Sequence, residues 1–197
     1  MAGRPGAAQR GRPSDRGKRG RPARPPRGHI AGLAARAIPP LGVTDRGRSL
    51  RCATELDTIA LGERIGTALL PGDLLALSGP LGAGKTVLVR GIAQGLGADP
   101  RVVRSPTFVL HHVYPTVLPL HHIDLYRLGA NVDVAFLDLD GLLEDGAVTV
   151  EWGELADLRR FDPVRISIDA EADGARCCVL ETGAPQRVMA AWGADRG

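Results

Sequence analysis

The chain has 197 residues, 44% apolar and 4% aromatic, so it is long enough for one compact domain with an aliphatic core and too short for two enzyme-sized domains. Its net charge of +3 conceals a basic arm on an acidic body, because residues 1–48 contain 12 Lys and Arg and two Asp, whereas residues 49–197 contain 13 basic and 20 acidic side chains. This distribution excludes a uniformly basic nucleic-acid-binding domain.

No apolar run approaches the roughly 18 residues that a membrane-spanning helix needs. The basic N-terminus also lacks the apolar segment of a secretory signal. We therefore expect a cytosolic protein without membrane association.

The first 48 residues are rich in Gly, Pro and Arg and poor in large apolar side chains. Such a segment cannot bury enough surface to offset the entropy of ordering, so we expect residues 1–48 to be a disordered arm and residues 49–197 to form the folded domain. Residues 10–13 and 18–22 resemble the Arg-Gly-Arg-Pro core of AT-hook peptides, which bind the minor groove. The arm is therefore either a nucleic-acid contact or a solvated linker.

The folded domain is predicted to begin with a short strand at residues 49–53. Thr54 follows as the N-cap of a helix that runs to about Leu70, where Pro71 and Gly72 end it. Residues 73–78 form a continuous apolar run that is too short for a helix and typical of a buried parallel strand.

Glycine follows this strand directly, in a segment that fits the phosphate-binding pattern G-x-x-x-x-G-K-[S/T], and a helix is predicted from there to Leu96. The loop's N–H groups and the helix N-terminus favour bound phosphate. We expect Lys85 to contact the β- and γ-phosphates and the Thr86 hydroxyl to ligate Mg²⁺. The loop predicts nucleotide binding and leaves hydrolysis and transfer to a second substrate both open. The predicted nucleotide-contacting residues here are Gly79, Leu81, Gly82, Ala83, Gly84, Lys85, Thr86 and Val87.

Two acidic side chains come at the ends of later predicted strands, Asp124 after residues 117–123 and Glu151 after residues 147–150. The carboxyl ends of parallel strands line the ligand crevice of an α/β sheet. We therefore expect both acids to serve Mg²⁺ or the attacking water, although either alone could be a solvated charge.

Thr107 follows the phosphate-binding helix after a short connection. It resembles the switch threonine that senses Mg²⁺ and the γ-phosphate in other hydrolases with this loop. The alternative is an ordinary turn in which Pro106 fixes the backbone, and the spacing favours neither.

Two histidine pairs, at residues 111–112 and 121–122, could face each other in a hairpin. Neighbouring side chains on a strand point to opposite faces, so a full set of metal ligands is lacking and structural or site-adjacent roles are favoured. Residues 163–169 and 176–181 predict a C-terminal hairpin, followed by a short helix in which Trp192 packs. The predicted fold is α/β: a three-layer fold of the P-loop NTPase type with a mixed, mainly parallel central sheet and an antiparallel C-terminal hairpin.

Four motifs in this order resemble the TsaE (YjeE) family of bacterial ATPases over about residues 50–185: Gly79–Thr86, Ser105–Phe108, His122–Arg127 and Glu151–Trp152. The resemblance implies that ATP and Mg²⁺ are bound, that Lys85 and Thr86 hold phosphate and metal, and that Trp152 flanks the nucleotide. It further implies that Asp124 and Glu151 serve the metal and the attacking water, in an order left open, and that Thr107 is a switch residue.

The resemblance also implies a biological role. Members of the family work in the biosynthesis of the threonylcarbamoyl modification of tRNA adenosine, acting with TsaD and TsaB. Hydrolysis, weak in the isolated protein and stimulated by these partners, would reset that complex. The protein would meet tRNA indirectly, through the complex, and direct contact with tRNA is left open. Many relatives have Asp-Pro-Glu-Glu-Leu where this chain reads Gly129–Phe136, so partner-contact residues are not carried over.

Two other functions remain open from the sequence. A small kinase of the P-loop class would need a lid that carries several arginines, and none is evident. A nucleic-acid-binding accessory protein would act through the basic arm, with nucleotide binding as its regulator.

Overall fold

The computed structural model describes residues 42–43, 49–106, 109–180 and 184–193. Most of the predicted arm, residues 1–48, therefore lies outside the described residues. Its residues 42 and 43 form a two-residue strand, where the sequence predicts none.

One mixed sheet forms the centre of the described fold. Its eight strands, in chain order, are β1 (Gly42–Val43), β2 (Ser49–Cys52), β3 (Leu74–Ser78), β4 (His111–Tyr114), β5 (Leu120–Asp124), β6 (Ala147–Glu151), β7 (Val164–Ala170) and β8 (Arg176–Leu180). In space they follow the order β1-β2-β8-β7-β3-β6-β5-β4. Strands β7, β3, β6 and β5 are parallel neighbours, while β4 and β8 each pair antiparallel at the two ends of this parallel block.

Four α-helices cover the two faces of the sheet: α1 (Glu55–Ala68), α2 (Lys85–Gly95), α3 (Leu139–Asp145) and α4 (Gln186–Trp192). Side chains of β3 alternate between two buried clusters. Leu75 and Leu77 pack with α1, α2 and α4, and Leu74 and Ala76 pack in the cluster that contains Leu139 of α3. This alternation is the period-2 geometry of a strand buried on both faces. The predicted three-layer α/β fold with a C-terminal hairpin is confirmed.

Helix α1 begins where the sequence predicts. The Thr54 hydroxyl accepts a hydrogen bond from the backbone N–H of Asp57 at 3.2 Å, and the Asp57 carboxylate accepts one from the backbone N–H of Thr54 at 2.9 Å. This reciprocal pair is a capping box, which satisfies two backbone donors at once. The side chain of Trp192 is buried in the same cluster as α1, also as predicted.

Helices α1 and α2 approach each other through glycines. A Cβ atom on Gly91 would lie 2.2 Å from the carbonyl oxygen of Ile59, and one on Gly62 would lie 2.4 Å from that of Leu88. Only hydrogen fits at these positions, so the two backbones are in direct contact. Because α2 also carries the phosphate-binding loop, α1 fixes the position of that loop.

Besides β1, two elements differ from the predictions. Strand β5 begins at Leu120 and not at Val117, because the N–H of Val117 donates to the carbonyl of Leu96 outside the sheet and Pro119 has no N–H to donate. The short helix α3 was not predicted, because its seven residues include Gly141 and span less than two turns of apolar periodicity. Among the described helices, none has the length and apolar character needed to cross a bilayer.

Candidate functional site

The glycine-rich loop connects β3 to α2 in a conformation that requires glycine. Gly79 has a φ of 131° and Gly84 a φ of 111°, in a region that residues with a Cβ rarely adopt. A Cβ on Gly79 would also lie 2.1 Å from the carbonyl oxygen of Ile168 in β7. Local conformation and close packing therefore both account for glycine at residue 79.

A cavity of about 320 Å³ opens beside this loop. The predicted site residues that line it are residues 81–87, Asp124, Glu151 and Trp152. Gly79, the first residue of the loop, is not among the lining residues, and Thr107 lies outside the described residues. Three separate parts of the sequence thus meet at the carboxyl edge of the parallel strands, where α/β folds bind ligands.

Lys85 is buried at the floor of this cavity. Its Nζ donates hydrogen bonds to the carbonyl oxygens of Gly79 at 2.6 Å and Pro80 at 2.9 Å, and lies 3.8 Å from the centre of the Trp152 ring. Burial lowers the pKa of Lys85, and the negative charges of Glu151, Glu154 and Asp124 act in the opposite direction. The ammonium is therefore held by neutral oxygens and an aromatic face, with carboxylates nearby.

Trp152 takes an unusual backbone conformation to reach Lys85. Its φ of 61° is left-handed, which is strained for a bulky residue, and it directly follows the end of β6 at Glu151. The ring also contacts Tyr126, with the two ring centres 4.9 Å apart. The turn after β6 thus directs an aromatic wall toward the loop.

Glu151 accepts two hydrogen bonds on the same oxygen. The Thr86 hydroxyl donates to its Oε1 at 2.7 Å, and Nε2 of His122 lies 2.8 Å from that atom. A carboxylate only accepts, so Nε2 of His122 is the donor. His122 is fully buried, and its Nδ1 lies 3.3 Å from the Tyr114 hydroxyl, which donates to the carbonyl of Arg104 at 3.0 Å. The carboxylate of Glu151 is therefore oriented by a buried series of contacts that runs through His122 and Tyr114 to the carbonyl of Arg104.

Asp124 lies beside Glu151, because the two residues are register partners on the parallel strands β5 and β6. Its Oδ2 accepts a hydrogen bond from the Ser105 hydroxyl at 2.8 Å, and its Oδ1 accepts one from the backbone N–H of Tyr126 at 3.0 Å. Only 3% of its surface is exposed. Ser105 thereby ties the segment that precedes Thr107 to one of the two acids.

The donor set suits Mg²⁺. The Thr86 hydroxyl and the carboxylates of Asp124 and Glu151 are all oxygen ligands, and Mg²⁺ is usually bound through one or two carboxylates together with phosphate oxygens and water. In the described part of the chain, no group of three or more His, Cys, Asp and Glu side chains is arranged to hold a metal ion.

Sequence reasoning missed several contributors to this site, among them Arg176, His122 and Tyr114, and it noted Ser105 and Tyr126 only as members of motifs. Arg176, the first residue of β8, lines the cavity although only its strand was predicted. His122 was considered as part of a pair, without its contact to Glu151, and Tyr114 was not considered. The signal for His122 was its position two residues before Asp124, which places both side chains on one face of β5.

Comparison with known proteins identifies the family. The family model described as "Threonylcarbamoyl adenosine biosynthesis protein TsaE" matches residues 52–178. The chain is 50% identical over 98 residues to a Streptomyces coelicolor protein named tRNA threonylcarbamoyladenosine biosynthesis protein TsaE, covering 48% of this chain and 66% of that protein, just under two thirds. A protein of the same name from Mycobacterium tuberculosis is 42% identical over 133 residues, covering 62% of this chain and 78% of that protein.

A solved structure agrees with the sequence comparisons. The crystal structure of Bacillus subtilis YdiB superposes with a TM-score of 0.54 at 32% identity, covering 68% of this chain and 85% of that one. The region of the family match contains the glycine-rich loop, both acids and Arg176. The chain belongs to the TsaE family.

Proposed function

We propose that this protein is a cytosolic, magnesium-dependent ATPase of the pathway that makes N6-threonylcarbamoyladenosine in tRNA. Its hydrolysis of ATP drives the cycle of the TsaB–TsaD transferase complex, and it meets tRNA through that complex. Membership of the TsaE family supports the pathway. The observation that carries the chemistry is the convergence of Lys85, Thr86, Asp124 and Glu151 on one cavity at the N-terminus of α2.

The loop and α2 supply the phosphate site. Backbone N–H groups at the start of α2 carry a partial positive charge and have no carbonyl partners within the helix, so they bind anionic oxygens. Lys85 exchanges the carbonyls of Gly79 and Pro80 for β- and γ-phosphate oxygens, which carry negative charge and are stronger acceptors. Binding ATP thus gives the buried ammonium the anionic partner that favours its charged form.

The metal would be held by the Thr86 hydroxyl and by Asp124 and Glu151, directly or through water. When bound, Mg²⁺ neutralises charge on the β- and γ-phosphates. The two carboxylates, fixed by their hydrogen bonds to Ser105 and His122, are also the groups that orient a water molecule for attack on the γ-phosphorus. Either acid can take either role, as the sequence also leaves open.

The segment that precedes Thr107 is the proposed switch. Ser105 donates to Asp124, and the carbonyl of Arg104 accepts from Tyr114 at the end of the chain that starts at Glu151. Both acids are thereby connected to this one segment. Loss of the γ-phosphate changes the ligands of the acids, and the segment transmits that change to the partner. The role of Thr107 itself stays a prediction.

Phosphate release by the purified protein, alone and with the TsaB–TsaD pair, tests the proposal. We expect slow turnover that requires Mg²⁺ and rises when the pair is added. Lys85→Ala should abolish both rates, since it removes the charge from the β/γ-phosphate site. Arg159→Ala is the matched control, because Arg159 is exposed and pairs with Asp157 away from the cavity.

Three outcomes would overturn the proposal. Absence of turnover under both conditions would reject an ATPase, and equal turnover in Lys85→Ala would reject this site. Transfer of phosphate to a small-molecule acceptor instead of water would identify the protein as a kinase.

A further inference from the structure

Arg176 occupies the nucleotide cavity from the side opposite to the acids. Strand β8 runs antiparallel to β7, so its first residue lies at the same edge of the sheet as the carboxyl ends of the parallel strands. Strand β7 extends three residues beyond Ser167, which is the partner of the last β3 residue, Ser78. Arg176 pairs with Ala170 at the end of this extension. The tip of the β7–β8 hairpin therefore stands alongside the phosphate-binding loop.

The side chain of Arg176 packs directly on the loop. A Cβ atom on Gly84 would lie 2.5 Å from Nε and 2.8 Å from Cδ of Arg176, so the stem of the arginine covers the glycine that precedes Lys85. Nε of Arg176 is enclosed, and within the described residues it has no hydrogen-bond acceptor. Nor does any carboxylate of the described part of the chain form an ion pair with this guanidinium. Arg176 is therefore a cavity cation that the described protein groups do not neutralise.

The order of the strands determines which half of a nucleotide this cation faces. Asp124 and Glu151 are on β5 and β6, on one side of β3, and Arg176 is on β8, beyond β7 on the other side. In the proposed function the acids mark the end of the cavity where Mg²⁺ and the γ-phosphate bind. The opposite flank then receives the α-phosphate, ribose and base.

We propose that Arg176 binds the half of the nucleotide that ATP and ADP share, and that it determines affinity for both without acting on the γ-phosphate. A guanidinium suits this position, because it donates several hydrogen bonds in one plane to phosphate oxygens and can lie flat against a base. This inference rests on the proposed nucleotide site and adds a binding residue from the C-terminal hairpin.

Affinity measurements on Arg176→Met test the inference. Methionine keeps an unbranched stem over Gly84 and removes the charge and every donor. Arg165→Met is the matched control, because Arg165 is on the neighbouring strand β7 and pairs with Ala76, whose side chain lies on the other face of the sheet. Calorimetric titration of the full chain with ADP and with a non-hydrolysable ATP analogue, both with Mg²⁺, gives the two dissociation constants. Thermal unfolding confirms that each variant is folded.

We expect Arg176→Met to raise the dissociation constants of both ligands equally, by about 10- to 100-fold, as removal of a charge-assisted hydrogen bond does. The KM for ATP should rise by a similar factor, since this contact is the same before and after reaction. Arg165→Met should bind both ligands as the wild type does.

Other results would overturn the inference. Unchanged affinity for both ligands would show that Arg176 does not contact the nucleotide. A loss confined to the ATP analogue, or a fall in turnover number with ADP affinity intact, would place the guanidinium at the γ-phosphate. Failure of the wild-type chain to bind either nucleotide would instead refute the proposed function, so the two failures are distinguishable.

Discussion

Replacement of His122 tests whether the buried chain beneath Glu151 contributes to metal binding and hydrolysis. His122→Leu fills the buried position with an apolar side chain and removes the donor that lies 2.8 Å from Oε1 of Glu151. His122→Gln keeps an N–H donor at a similar distance from the backbone. The two variants therefore differ mainly in the hydrogen bond to Glu151.

The size of the effect follows from the contacts of that carboxylate. Without His122, the Thr86 hydroxyl is the donor that remains at Oε1 among the described residues. A hydrogen bond to a charged group contributes about 1.5–3 kcal/mol. At roughly 1.4 kcal/mol per factor of ten, this corresponds to about 10- to 150-fold. Loss of a group that orients a metal ligand typically weakens metal binding by about 10- to 100-fold. The estimate from the hydrogen-bond energy and the estimate from metal-ligand orientation therefore agree in order of magnitude.

The effect of replacing His122 on Mg²⁺ binding is measured by steady-state ATP hydrolysis, titrated with Mg²⁺ at fixed ATP. We expect the Mg²⁺ concentration for half-maximal rate to rise by about 10- to 100-fold in His122→Leu and to return most of the way in His122→Gln. If His122 had a purely structural role, both variants would melt at a lower temperature. The rate of hydrolysis by the protein that remains folded would then depend on Mg²⁺ as in the wild type. Wild-type Mg²⁺ dependence in a folded His122→Leu variant would refute the reasoning.

Three further predictions concern the acids, the helix interface and the arm. Asp124→Asn and Glu151→Gln should each cut Mg²⁺-dependent hydrolysis by at least ~100-fold without lowering the melting temperature; rates equal to the wild type would count against both assignments. Gly91→Ala should lower the free energy of unfolding in urea by about 1–3 kcal/mol, despite the higher helix propensity of alanine, because the added Cβ meets the carbonyl of Ile59; a more stable variant would contradict this packing. Removal of residues 1–41, proposed to lie outside the ATPase domain, should leave basal phosphate release unchanged, and a large loss would make the arm part of the enzyme.

Local signals were enough to predict much of the fold. Thr54 and Asp57 form the capping box at the start of α1, and the apolar run at residues 73–78 is the buried strand β3. The glycine-rich loop lies between strand and helix as its pattern requires. These features depend on residues close in sequence, where backbone conformation and apolar periodicity suffice.

The meeting of distant side chains could be predicted only in part. That Asp124 and Glu151 lie near the loop follows from a general rule about the carboxyl ends of parallel strands. No local pattern shows that β8 inserts between β2 and β7, and this insertion brings Arg176 to the cavity. The same holds for Tyr114, which reaches His122 only because β4 pairs antiparallel with β5.

The glycine contacts between α1 and α2 determine which side of the nucleotide site is able to move. A helix whose backbone touches its neighbour's carbonyls at Gly62 and Gly91 has no room to slide or rotate during a catalytic cycle. The glycine-rich loop is therefore held in place, and we expect any displacement in the proposed cycle to fall on the side of the cavity that carries Ser105. Substitutions in α1, although remote from the cavity, should then affect the site by loosening the glycine-rich loop.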